Sequence, residues 1–369
     1  MKKFFAMLLL VCMILSLAAC GQQAAPAPAA EQPAAEEPAA EEAAPAEEAA
    51  EEAAPAEEPA AAEYKLGMGV VVKTDSSKTG NAQVDATVAA VVTDAEGKIV
   101  AVKLDVAQNK MDITDGQVET EKEFKTKLEL GDDYNMVKFS SATHEWYEQA
   151  AAFEQYVIGK TADEVAGIET VLNEEGHNVV TDEALYASCS ISVSDFQEAI
   201  VKACNDEQGM TFTADGEFKL GLAIISTAEE SVAATAEEEG VVKMYSDYAA
   251  VVVDAEGKIL AALTDATQPQ IKIDAAGEIG DCTFNGTKRE LKEDYNMVKF
   301  SAATLEWYEQ AWNFVNYAVG KTADELKASE LQLNEEGHMV FVDEELYASV
   351  SISVDGIIDV VVKAVDNAR

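Results

Sequence analysis

Histidine is nearly missing from this chain of 369 residues: His144, His177 and His338 are the full set. None stands in an HExxH arrangement or at paired ligand spacing, so a zinc centre is not expected. Basic residues are also few, 26 Lys and Arg against 69 Asp and Glu, for a formal net charge of −43. A surface so acidic repels nucleic acid and anionic lipid head groups, and both are excluded as partners. Cysteine is scarce too. Beyond Cys12 and Cys20 only Cys189, Cys204 and Cys282 remain. Cys189 and Cys204 correspond to Val350 and Val365 of a second, similar stretch, which fits small buried hydrophobes; a disulfide between them stays open in an exported chain. Proline is confined almost wholly to the first 60 residues, with Pro269 alone beyond them.

What is present begins with a leader. Lys2 and Lys3 precede an apolar run, Phe4 to Leu15, that is too short to cross a bilayer comfortably. "LAAC" follows and ends at Cys20. This resembles the lipobox of a bacterial lipoprotein signal peptide, which implies residues 1–19 as signal and Cys20 as the lipidated first residue of the mature chain. It also implies anchoring to the extracytoplasmic face of the cell membrane. A lipoprotein cysteine carries more than one acyl chain, which suffices for stable anchoring. Residues 20–63 are almost only Ala, Glu, Pro and Gln. They offer too little apolar surface for a core, and read as a disordered tether reaching ~130 Å if fully extended at ~3.1 Å per residue.

The rest is an internal duplication. "DYNMVKFS" starts at Asp133 and Asp294, "EWYEQA" at Glu145 and Glu306, "GKTADE" at Gly159 and Gly320, "LNEEGH" at Leu172 and Leu333. Two domains are expected, 64–208 and 217–369, each with its own core and joined through a polar, turn-rich boundary at 205–216. Each copy reads as α+β: an antiparallel sheet with packed helices. Alternating Val and Ala flank an Asp-Ala-Glu-Gly turn at Asp94 and at Asp254, which predicts a hairpin. Trp146, Ala150, Phe153 and Val157 fall at helical spacing, as do Trp307, Ala311, Phe314 and Ala318. "TADE" predicts capping boxes at Thr161 with Glu164 and at Thr322 with Glu325. "LNEEGH" predicts a second hairpin, and "SISV" a short strand before a last helix capped by Asp195 or Asp355.

Motifs for chemistry dissolve. "GKT" lacks the earlier Gly and the preceding strand of a phosphate loop. "DAEGK" lacks the alternating ligands of a calcium loop. His144 corresponds to Leu305, and no Ser-His-Asp set recurs in both copies. No catalytic constellation is visible.

"YASCSISV" (Tyr186–Val193) and "YASVSISV" (Tyr347–Val354) raise one further reading. The order hairpin, helix, small-polar stretch and terminal helix resembles the bacterial extracytoplasmic FMN-binding domain, whose motif D-x-x-S-G-A-T precedes a final helix. The resemblance implies FMN and electron transfer outside the cell. It places the flavin-bearing position at Ser190 and Ser351, with Ser188 and Ser349 in the glycine position. The Asp position falls on Ala184 and Glu345, so the motif is broken, and noncovalent binding is expected rather than covalent. Lys138 and Lys299, with Lys127, Lys288 and Arg289, are candidates for the phosphate. Tyr134, Tyr295, Met136 and Met297 are candidates to cover the ring. The alternative is a redox-inactive surface module that keeps the fold without the cofactor, its "SISV" an ordinary half-buried strand. The sequence leaves both open.

Overall fold

The computed structural model describes residues 62–369. The leader, Cys20 and nearly all of the tether lie outside the described residues. Copy one supplies β1 (Ala62–Lys73), β2 (Asn81–Thr93), β3 (Ile99–Asp112), the hairpin β4 (Thr170–Leu172) and β5 (Asn178–Val180), and β6 (Met210–Ala214). Copy two supplies β7 (Lys219–Thr227), β8 (Gly240–Lys243), β9 (Tyr245–Val253), β10 (Ile259–Thr267), β11 (Gln270–Ile273), β12 (Ile279–Thr283), and the hairpin β13 (Leu331–Leu333) and β14 (Met339–Phe341). Each copy has an aromatic helix, Trp146–Val157 or Trp307–Ala318, and a terminal helix, Ser194–Cys204 or Asp355–Asp366. The strands form sheets in the orders β3-β2-β1-β6, β10-β9-β7 and β12-β11-β8, besides the two small hairpins. All pairings are antiparallel, and the class is α+β.

The local devices are those expected from sequence. Asp94 Oδ1 accepts from Glu96 N and Lys98 N, and Gly97 takes φ +76° to close the β2–β3 turn. Asp254 and Gly257 repeat this between β9 and β10. Thr161 with Glu164 and Thr322 with Glu325 form reciprocal capping boxes. The aromatic stripes are buried in both helices.

Three expectations are corrected. "SISV" is irregular backbone, not strand: Ser190 N, Ser351 N and Ile352 N are taken by glutamine side chains, so they have no ladder to join. Asp195 and Asp355 are not caps; Val193 and Val354 hold the cap positions and the aspartates lie in the first turn. The segment read as a boundary carries β6, which extends β1 of its own copy from Leu66 back to Ala62, residues that include the last part of the supposed tether.

Alternation along the strands decides the layering. In β2, Ala89 and Val91 join Leu104, Trp146, Phe153, Phe196 and Ile200 in a core under the helices of copy one. The opposite parity, Ala86, Val88, Ala90 and Val92, joins Leu66, Met68, Leu222, Tyr248, Ala250 and Val252 of both copies. The two large sheets therefore pack face to face with helices outside, four layers in all. The central core thus draws on both repeats, beside the core that copy one holds under its own helices.

The two repeats also meet reciprocally. Lys202 pairs with Glu290, and its counterpart Lys363 pairs with Glu129 at 2.6 Å, the counterpart of Glu290. Such i-to-j and j-to-i contacts are the signature of a two-fold dimer interface, here fused into one chain.

Candidate functional site

The residues nominated for a flavin are built around two buried glutamines. Asn135 adopts φ +56° and turns the chain into a one-turn helix, Met136–Phe139. Its first amides, Met136 N and Val137 N, donate to the Glu145 carboxylate. Glu145 itself starts the aromatic helix, with Glu148 returning to cap it. One turn on, Gln149 is 1 % exposed. Its Nε2 donates to His144 O at 2.8 Å and contacts Met136 Sδ at 3.2 Å. Its Oε1 accepts from Ser190 N at 2.8 Å and Ser190 Oγ at 3.3 Å. Copy two repeats the clamp: Gln310 holds Leu305 O, Met297 Sδ, Ser351 N, Ser351 Oγ and Ile352 N. Thus Met136 meets Ser190 and Met297 meets Ser351, each through a glutamine that the sequence reading missed. The identical "EQA" in the two copies was its only signal.

The other nominated groups are turned elsewhere. Ser188 Oγ and Ser349 Oγ donate to the carbonyls of Leu185 and Leu346, closing the short helices before them. Cys189 is buried, and burial pushes its thiol up to about 12. Cys189, Cys204 and Cys282 are free thiols. Lys138 and Lys299 are exposed, each ammonium 4.8 Å from the ring of the next residue, Phe139 or Phe300.

Lys127 and Lys288 do join the nominated tyrosines. Lys127 Nζ lies 4.9 Å from the Tyr134 ring and 5.4 Å from Trp146. Lys288 Nζ is enclosed by Tyr245, Tyr295 and Trp307 at 4.8, 5.0 and 5.1 Å, and donates to Tyr245 Oη at 3.2 Å. Burial drives Lys288 below the ordinary lysine range, while Asp247 and Asp265 oppose that shift. Burial also pushes Asp247 and Asp265 up to about 6. Arg289 is not free for a phosphate: Nη2 reaches Asp206 Oδ2 at 3.0 Å, and both side chains are under 10 % exposed.

One hollow was not foreseen. A cleft of about 600 Å³ opens between the turn Glu207–Gly209 of copy one and the aromatic helix of copy two, lined there by Leu305, Tyr308, Glu309, Trp312 and Asn313. A smaller one, about 220 Å³, lies near Lys110, Lys122, Phe124 and Lys125. Among the described residues no group of three or more His, Cys, Asp or Glu is placed to hold a metal ion, and no helix is long and apolar enough to cross a membrane.

No family model matches the chain, and neither a curated protein nor a solved structure does.

Proposed function

We propose that this protein is a lipid-anchored, extracytoplasmic binding module, held at the membrane through Cys20, whose repeated serines serve the fold and not a flavin. The carrying observation is the glutamine clamp. A serine hydroxyl has one proton to donate, and Ser190 and Ser351 both direct it to a buried glutamine oxygen. A phosphate or ring placed there would have to take that proton from the bond to Gln149 or Gln310, and the amides of Ser190 and Ser351 are already committed to the same oxygens. The surroundings also suit an FMN phosphate poorly. Lys138 and Lys299 stand on exposed turns, and Arg289 is already neutralised by Asp206.

The test is a flavin titration. Under this reading the purified protein is colourless, and it stays so after incubation with FMN and desalting. Flavin bands that persist through desalting in the parent and vanish in a Ser190→Ala, Ser351→Ala variant would overturn it in favour of the electron-transfer reading. The anchor is tested separately. Cys20→Ala is expected to leave the chain unlipidated; uptake of labelled fatty acid at the parental level would reject lipidation there.

A further inference from the structure

The two copies diverge where the large cleft forms. Through "EWYEQA" they are identical; at the next position copy one has Ala151 and copy two has Trp312. Trp312 lies off the buried stripe and is 41 % exposed, whereas Trp146 and Trp307 are 2 % and 3 % exposed. The opposite wall, Glu207–Gly209, is fixed by a second departure from the repeat. Arg289 donates to the Asp206 carboxylate and to Gln208 O at 3.0 Å, and Gln208 Nε2 returns to Arg289 O at 3.1 Å. The counterparts of Arg289 and Asp206 are Leu128 and Asn367, so copy one cannot form this pair. A buried ion pair therefore holds one wall, and an indole absent from the other copy lines the second.

The free polar groups define the ligand. Donors on the walls are largely committed: Asn313 Nδ2 to Ser349 O, Tyr308 Oη to Glu293 Oε1, and Gln208 Nε2 to Arg289 O. Glu309 uses one oxygen to cap Glu306 N, leaving the other free. Glu207 is 87 % exposed on its side chain, with Lys292 3.8 Å away as its nearest cation. What remains is carboxylate oxygen beside an indole and a phenol. Aromatic faces and carboxylates together attract cations, and a cleft of about 600 Å³ falls in the range of small-molecule sites.

From this geometry we infer that the cleft binds a small organic ammonium ion, its charge toward Glu207 and Glu309 and its methyl or methylene groups against Trp312. This rests on reading the protein as a binding module and gives that module a ligand class.

Trp312 is the one exposed tryptophan of the three, so it reports its own occupancy. The full chain is titrated with choline, and in parallel with its neutral isostere 3,3-dimethylbutan-1-ol, following tryptophan emission and protection from quenching by acrylamide. Choline is expected to give a saturable change, with the isostere roughly tenfold weaker or more, the scale of a desolvated cation–π contact. Trp312→Ala restores the residue of copy one at an exposed helical site and should fold normally. It should abolish the response, with calorimetry replacing the lost fluorophore, while Trp312→Phe retains part of it. Glu309→Gln, which keeps the cap, and Glu207→Gln should each weaken choline several-fold. Equal binding of the isostere, undiminished choline affinity in Trp312→Ala, or no saturable binding at millimolar choline would each overturn the inference. The flavin titration is indifferent to all three, so the two readings fail separately.

Discussion

Gly221 lies so close beneath Ala364 that a Cβ on it would stand 1.9 Å from the Ala364 carbonyl oxygen. Gly67 stands under Ala203 in the same way, also at 1.9 Å. These glycines let each terminal helix settle on its sheet. Asn367 Nδ2 and Lys363 Nζ then reach the carbonyls of Leu222 and Ile224 on β7. Gly221→Ala should therefore lift the helix Asp355–Asp366 and lower stability by roughly 1–3 kcal/mol or more, the usual cost of overpacking. Gly97→Ala at an open turn, where nothing lies within 4 Å, strains only its positive φ and should cost about 1 kcal/mol. Denaturant midpoints of the two variants check the order.

The shared central core carries a second prediction. Fragments 64–208 and 217–369 made alone would expose the face holding Met68, Val88 and Val92, or that holding Leu222, Tyr248 and Val252. Each should be unfolded or should self-associate, and mixing them should restore a cooperative transition. Two monomeric fragments that each melt cooperatively would show that the repeats are separable domains.

The clamps predict an asymmetry between partners. Gln310→Ala strands Ser351 N and Ile352 N and should cost about 1–3 kcal/mol for each buried donor left unsatisfied. Ser351→Ala removes one side-chain bond and should cost about 1 kcal/mol. Thermal melts compare them; a larger effect from the serine would contradict the clamp's role.

Stability should rise on mild acidification. Burial raises Asp105, Asp247 and Asp265 each to about 6 from an unfolded value near 3.8. Between those values the folded state binds more protons than the unfolded one, so stability increases as pH falls from 7 towards 5. At about 1.4 kcal/mol per pKa unit, each group contributes at most about 3 kcal/mol. Below that window the lowered carboxylates Glu164, Glu293 and Glu325 act with the opposite sign. Their stabilising effect is lost as pH falls below the ordinary value of 4.5 through their folded values, so the gain from the aspartates is unopposed by these groups down to about pH 4.5. Asp247→Asn should flatten the slope between pH 7 and 5 in melts across that range; a parent already losing stability from pH 7 downward would contradict the burial effect.

The sequence by itself determined whatever depends on neighbours along the chain. Helical spacing placed Trp146, Phe153, Trp307 and Phe314 in helix cores. The Asp94 and Asp254 turns declared their hairpins through an aspartate that accepts from amides two and four residues on. Thr161 and Thr322 announced their helix starts. The duplication was plain, and with it the α+β class of each copy. Only the tertiary structure decided what joins residues far apart. Alternating Val and Ala on β2 predicted a hairpin strand, but not that one of its faces meets the other repeat. "SISV" alternates as a strand would, yet it forms no ladder: Ser190 N and Ser351 N bond to Gln149 and Gln310, 41 residues earlier in the chain, while Val193 N and Val354 N each reach a single carbonyl, of Asn178 and Met339. The cleft could not be read at all, because Trp312 faces a turn more than a hundred residues before it. That turn is held in place by the Asp206–Arg289 pair, whose energy depends on burial, and burial is fixed only once the two repeats have packed.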